Sequence, residues 1–420
     1  MRKGQTEVLV VGAGPVGLWT ALRLAEAGVR VTIIDREVRT TARSYACALH
    51  PRTLGLMAQA GLAETLLAQG RQVQTIAFFD GASQQAEVRL DELGGQFPFL
   101  LILPQSAFEA ALEQRLRLAG VQVNWGHRFD SFTEDEQGVA VTVEELQGTS
   151  TGYIVPHWEM VVKGRSTMQA HFLVGADGHN SLVRNRLGLQ SQRVSEAQFF
   201  AAFEFEPVGS ALAEAKVVLD EQSTNVLWPL ADNRCRWTFQ LSHGATAAEF
   251  PEKERRAVRL AQPEVDERLR DYVERVARRR APWFDAGVKT VTWCTEVAFQ
   301  AQLAQHFGRT RCWLAGDAAH QTGPVGVQSM NVGLLEAEQL AGALKQGLHE
   351  ADSLAALENY GRVRHQEWQG LLGLSASLQT GGEASQWVRD HAAAILPCLP
   401  ASGSDLSRLA GQLNLQFASK

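Results

Sequence analysis

Residues 7–35 restrict the fold more than any other part of the chain. Glu7-Val8-Leu9-Val10-Val11 reads as a buried strand, and Gly12-Ala13-Gly14-Pro15-Val16-Gly17 is a GxGxxG loop. Leu18, Ala21, Leu22 and Ala25 then recur at helical spacing until Gly28 ends the helix. Val31-Thr32-Ile33-Ile34 is a second strand, closed by Asp35 and followed by Arg36. Asp35 lies 18 residues beyond Gly17, close to the roughly 20 expected of a βαβ dinucleotide unit. Gly12 makes the tight turn, Gly14 lets the backbone approach a diphosphate, and Gly17 lets helix and strand pack closely. The diphosphate sits on the helix N-terminus, where free N–H groups and the dipole favour an anion. Asp35 accepts a hydrogen bond from the adenosine ribose. The unit alone does not separate NAD from FAD.

Two later strands end in similar chemistry. Met168–Val174 runs into Gly175-Ala176-Asp177-Gly178-His179-Asn180-Ser181, with Arg184 a turn later. His179 is read as a solvated loop histidine, without an acid–base role. Arg311-Cys312-Trp313-Leu314-Ala315 runs into Gly316-Asp317-Ala318-Ala319-His320-Gln321-Thr322-Gly323-Pro324-Val325-Gly326-Val327-Gln328-Ser329-Met330-Asn331. A helix from there to about residue 347 carries Leu334, Ala337, Ala341 and Leu344 on one face. Each junction brings backbone N–H groups and a carboxylate to the end of a strand.

Between these junctions, residues 73–79 and 97–103 read as strands, and Phe108, Leu112, Leu116 and Ala119 as one face of a helix. A meander follows through 121–125, 139–143 and 168–174, with a loose loop expected at 147–166. Runs at 199–205, 217–219, 224–230 and 236–241, separated by acidic or Gly/Asn turns, indicate an antiparallel sheet. A charged helical patch covers 252–280, with Arg278-Arg279-Arg280 as a solvated end. Another helix covers about 354–374, and the tail from Gly381 shows no clear pattern.

With a net charge of −6 the chain shows no sign of nucleic-acid or anionic-membrane binding. The five cysteines, Cys47, Cys235, Cys294, Cys312 and Cys398, are widely spaced, with no CxxC and no histidine cluster, so neither zinc nor a disulfide framework is indicated. No signal peptide or bilayer-length apolar run is apparent, and a cytoplasmic location is expected.

The three junctions in this order resemble the para-hydroxybenzoate hydroxylase family, the single-component (group A) FAD-dependent aromatic hydroxylases. Arg43, Leu49-His50-Pro51-Arg52-Thr53-Leu54, Pro104-Gln105 and the spacing from Gly316-Asp317 to Asn331 add to the likeness, which covers roughly 5–375. It implies an α/β fold: a Rossmann-like FAD-binding domain from 1–72, 104–188 and 297–380, interleaved with an antiparallel-sheet substrate domain from 73–103 and 189–296, then a C-terminal segment 381–420. By the resemblance Gly12, Gly14, Pro15, Val16, Gly17, Asp35 and Arg36 hold the ADP half of FAD. Arg43 and Gln105 approach the cofactor from the side. Asp177 and Gly178 serve both FAD and the passing NAD(P)H. Gly316 and Asp317 take the ribityl–diphosphate region. Gly326, Gln328, Ser329, Met330 and Asn331 present amides to the pyrimidine edge of the ring, and Pro324 sits over the ring near the substrate.

The implied activity is monooxygenation of an aromatic or polycyclic substrate with NADH or NADPH and O2, through a flavin C4a-hydroperoxide. The flavin does the chemistry, and no protein acid–base or nucleophilic group is assigned. Phe203, Trp228, Pro229, Trp237, Trp293 and Pro324 are the expected pocket walls. Their apolar character points to a neutral, fairly large ligand; a monomer or homodimer is expected. The chain departs from the family pattern at Gly323, in place of a proline, and at Val327 and Ser329, in place of glycines; Glu336 stands where the helix acid is usually Asp. Val327 and Ser329 add side chains where backbone approaches the flavin. This keeps open a relative that does not hydroxylate, a dehydrogenase, reductase or halogenase, although the halogenase motif Trp-x-Trp-x-Ile-Pro is absent.

Overall fold

The computed structural model describes residues 6–40, 48–151, 157–209, 212–220, 223–241, 263–349 and 354–419. Arg43 and Cys47 lie outside them, as does 252–262 of the charged helical patch.

Ten helices are described: α1 (Pro15–Glu26), α2 (Pro51–Gln59), α3 (Ala63–Leu67), α4 (Gln105–Leu118), α5 (Leu182–Arg186), α6 (Pro263–Arg280), α7 (Gln328–His349), α8 (Ala355–Leu371), α9 (Gln386–Ile395) and α10 (Gly403–Gln412). Pro15 and Pro51 open their helices, where the missing N–H costs nothing. No described helix is long and apolar enough to cross a membrane.

A six-stranded sheet has the order Gly308–Arg309, Cys312–Leu314, Phe172–Gly175, Val8–Val11, Val31–Asp35, Val123–Trp125, parallel throughout except at the 308–309 edge. Val8–Val11 and Phe172–Gly175 are buried at every residue, which explains why they read as continuous apolar runs rather than alternating ones. Val11 pairs with Gly175, and Gly175 with Leu314. The three junctions are therefore neighbours at the carboxyl ends of three adjacent strands, the place where open α/β sheets bind ligands. α1 packs on α7 at very close range: a Cβ on Gly333 would lie 2.9 Å from Val16 Cγ2.

A seven-stranded sheet has the order Val288–Phe299, Gln198–Pro207, Cys235–Leu241, Thr224–Pro229, Ala215–Leu219, Thr75–Asp80, Ser83–Arg89. All its pairs are antiparallel except 215–219 with 75–80, so two stretches far apart in sequence share one sheet. One face, with Ala201, Phe203, Phe205, Trp237 and Phe239, packs on Leu269, Tyr272 and Val273 of α6. The other, with Phe78, Phe200, Val217, Val226 and Trp228, packs on Val325, Val327 and the C-terminal Val388, Ile395, Leu399 and Leu409.

Three expectations are corrected. The stretch 147–166 is no loose loop where described: Val139–Thr151 and His157–Ala170 form one long antiparallel hairpin, whose mixed exposure hid the alternation. The C-terminal segment is ordered as α9, α10 and a strand, Leu415–Ser419, paired with Ala376–Thr380. Arg280 is not a solvated helix end: its Nη1 donates to Asn225 Oδ1 and Gln240 O, both at 2.6 Å.

Candidate functional site

Two adjoining cavities, of about 330 and 510 Å3, are both lined by Gly14, Gln105, Ala176, Gly178 and His179, so together they form one trench. The smaller end adds Gly12, Asp35 and Arg36. The larger adds Pro15, Val16, Asp317, Pro324, Val327, Ser329 and Met330, together with Glu296, Val297, Ala298 and Phe299 at the end of a strand of the second sheet.

The glycine loop has distinct local reasons at each glycine. Gly12 has φ +105°, and a Cβ there would lie 2.2 Å from Ala176 O. On Gly17 it would lie 1.9 Å from Gly12 O. On Gly14 it would meet nothing within 4 Å: here bare backbone faces open space at the start of α1, as an approaching diphosphate requires. Asp35 first holds the loop itself, accepting from Ala13 N at 2.6 Å and from Glu37 N at 2.8 Å. Asp35 also lines the smaller cavity beside Arg36.

Asp177 lines the smaller cavity with Gly178 and also organises the chain beyond it. Its Oδ1 accepts from Ser181 Oγ at 2.5 Å, and its Oδ2 from Leu182 N and Val183 N at 2.7 and 3.2 Å. It caps α5, and its burial raises its pKa. Arg184, 7% exposed, links two junctions: Nη1 donates to Ala318 O (2.8 Å) and Nη2 to His179 O (2.9 Å). Burial lowers its pKa.

Gly316 has φ +62°, and its N–H donates to Glu336 Oε2 at 3.4 Å. Glu336 also accepts from Trp368 Nε1 and lies 2.7 Å from His320 Nε2, so a wholly buried network sits beneath this turn. Asp317 is the exception. Its carboxyl borders the trench with no hydrogen-bond partner among the described residues, and desolvation raises its pKa. A carboxylate left unsatisfied in an apolar setting is costly unless a ligand completes it.

The ring-end loop is tightly fastened. Asn331 Oδ1 accepts from His50 N at 2.8 Å, and its Nδ2 donates to Ala48 O and Val327 O, so its side chain is a fastener and not a ring donor. His50 Nε2 donates to Gly326 O at 2.9 Å, and burial pushes the His50 pKa down to about 4. The Gly326 amide donates to Pro397 O at 3.0 Å, and Gln328 Nε2 to Leu399 O at 3.1 Å. The Gly326 amide is therefore taken, whereas at Gln328 only the side chain is. Ser329 Oγ accepts from Thr322 N at 2.8 Å. Val327 has φ +49°, the left-handed conformation that glycine would adopt freely. The first-turn amides of α7, at 328–330, remain for a ring edge.

The expected pocket walls divide by strand alternation. Phe203 and Trp237 are directly opposite each other and face α6, with the Phe203 ring 5.5 Å from Tyr272. Pro229 is opposite Cys235 on that same face. These three lie on the wrong side of the sheet and are corrected here. Trp228 is on the inner face, in the cluster with the C-terminal segment. Trp293 covers Arg236, whose guanidinium carbon is 5.2 Å from its ring centre. Of the proposed walls only Pro324 lines the trench. Sequence reasoning missed Glu296–Phe299, Thr322, Arg184's clasp and the C-terminal carbonyls; no local pattern marks a strand end as a wall.

The FAD binding domain family matches residues 5–374. The chain belongs to that family: it is a flavoprotein monooxygenase of the para-hydroxybenzoate hydroxylase type. It is similar to the rifampicin monooxygenase of Streptomyces venezuelae, 28% identical over 363 residues, covering 86% of this chain and 68% of that protein. It is 31% identical over 339 residues to the 6-methylpretetramide 4-monooxygenase of Streptomyces rimosus, covering 80% of this chain and 55% of that protein. The chain thus spans about two thirds and about half of these relatives' lengths. The p-nitrophenol 4-monooxygenase structure from Pseudomonas putida superposes with a TM-score of 0.73 at 22% identity, covering 98% of both chains, and so shares the fold.

Proposed function

We propose that the chain is an FAD-dependent monooxygenase that uses NADH or NADPH and O2 to place one oxygen atom on a neutral aromatic or polycyclic substrate. The observation that carries this is the trench itself: bare Gly14 backbone where its two cavities meet and the unpartnered Asp317 carboxyl in the larger one, at the ends of two strands that flank Phe172–Gly175. The residues fit FAD. The Gly12–Gly17 loop and the start of α1 take the diphosphate, Asp35 and Arg36 the adenosine end, Asp317 a ribityl hydroxyl, and the start of α7 the ring. FAD, when bound, supplies hydride acceptance and oxygen activation. The chain's own part is to orient, to exclude water through Val297, Ala298, Phe299 and Pro324, and to place amides at 328–330 where charge develops.

Among the described residues no Lys or Arg lines the ring-end cavity, which favours a neutral ligand over a benzoate. The relatives' named substrates, rifampicin and 6-methylpretetramide among them, support a polycyclic one. We further infer a cytoplasmic monomer or homodimer. The test is a screen of aromatic and polycyclic compounds for accelerated NAD(P)H oxidation, with products formed under 18O2 analysed by mass. Acceleration with one labelled oxygen is expected. Accelerated oxidation that gives an unlabelled, reduced product favours a reductase, and no acceleration by any compound sinks the reading.

A further inference from the structure

The family match stops at residue 374, yet the ring-end loop is held by a segment past it. Pro397 O accepts from Gly326 N, and Leu399 O from Gln328 Nε2. A Cβ on Gly326 would lie 2.5 Å from Pro397 O and 3.0 Å from Leu399 O. Gly326 is not among the residues with positive φ, so glycine there answers the close approach of two backbones and not a special conformation. From the other side His50 Nε2 donates to Gly326 O. Both polar groups of Gly326 are thereby taken. Val325 and Val327 are buried in one cluster with Val388, Ile395, Cys398 and Leu399. Val327, at φ +49°, is a strained residue that persists only where its surroundings over-determine it.

We propose that residues 395–401 are a positioning element of the flavin site, a C-terminal latch on the loop 325–328. The inference rests on the FAD reading above. The Pro397 carbonyl turns the Gly326 amide away from the trench and leaves the ring edge to the start of α7. The latch reaches further, because its cluster includes Phe200, Val226 and Trp228 of the second sheet. The loop that seats the ring and the sheet that faces it are tied to the same short segment.

Three variants test this: Gly326→Ala, which drives a methyl into Pro397 O; Gln328→Ala, which removes the Leu399 anchor; and Leu409→Val, a fully buried control on α10 in the same cluster. The readouts are the FAD dissociation constant, the visible circular dichroism of bound flavin, its midpoint potential and Tm. G326A and Q328A are expected to weaken FAD about tenfold, the worth of one hydrogen bond, and to change the dichroism and potential. L409V is expected to lower Tm while leaving all three flavin readouts in place. Unchanged flavin readouts in both loop variants, or equal loss of FAD in L409V, overturn the latch. A wild-type protein that binds no FAD overturns the functional reading and the latch together.

Discussion

Val327 permits a test of backbone strain that cancels most side-chain effects. It is 5% exposed with φ +49°, whereas Val325, two residues earlier, is 4% exposed without a positive φ. Alanine and glycine at either site both remove the isopropyl group, and their difference in buried methyl is similar at the two. In ordinary backbone glycine is worse than alanine by about 0.5–1 kcal/mol, through its greater unfolded-state entropy. In the left-handed region every L-residue bears about 1–2 kcal/mol that glycine does not. The expected order at 325 is therefore alanine above glycine, and at 327 that margin shrinks by about 1–2 kcal/mol. The difference between the two differences isolates the strain, about 1–2 kcal/mol. With an unfolding entropy of about 2.1 cal/mol/K per residue, a chain of this length shifts by roughly 1 °C per kcal/mol. Differential scanning calorimetry on the four apoprotein variants resolves a shift of that size, and omitting FAD removes ligand linkage. If V327A melts above V327G by the same margin as at 325, the strain assigned to Val327 does not exist.

Other expectations follow from the same geometry. Asp317→Asn should weaken FAD by about ten- to a hundredfold, the range for a hydrogen bond to a charged group, measured by flavin fluorescence. Because burial raises the Asp317 pKa above its unfolded value, its ionisation costs the apoprotein stability as pH rises through that interval. D317N apoprotein should thus melt above wild type at pH 7, with the gain fading in acid; a constant gain across pH refutes this. His50 is held neutral with a pKa of about 4, so the unfolded chain binds its proton first as pH falls. Stability on the order of 3 kcal/mol should be lost between about pH 6.5 and 4, and His50→Gln should flatten that part of the Tm–pH curve. Phe203→Ala should cost about 3–5 kcal/mol of stability with KM for substrate unchanged, whereas Phe299→Ala, at the trench, should raise KM or uncouple NAD(P)H oxidation into peroxide; the reverse pattern would put the substrate on the wrong face.

The cofactor half of the fold was legible because its signals are local. A turn that needs Gly12 and Gly17, an acid at Asp35 and unbroken apolar strands each follow from contacts within a few residues or between adjacent parallel strands. The roles of the acids were less legible. Asp177 and Asp317 both follow a glycine at a strand end and both line the trench, yet one accepts three hydrogen bonds at the start of α5 and the other has no hydrogen-bond partner among the described residues. Only the helix that starts at Leu182 distinguishes them. The substrate walls failed at Phe203 and Trp237, where composition selected aromatic residues but strand parity chose the face. Val327 and Ser329 were visible as departures. That Val327 adopts the glycine conformation regardless depends on partners some 70 residues downstream, which no local pattern carries.

The register Val11–Gly175–Leu314 has a consequence for how such a chain can change. Between the first and second of these residues the chain makes one long excursion, and between the second and third another. Both return to fixed addresses on a sheet whose strands are buried. The parts of the excursions that build the second sheet, within 75–89 and 198–299, can gain or lose strands or loops without altering the distance between the cofactor's anchor points. New substrate chemistry is thus open to variation at the far ends of the excursions while the redox centre stays constant, and an engineer who wishes to graft a different substrate sheet has two splice regions already separated from the flavin seat.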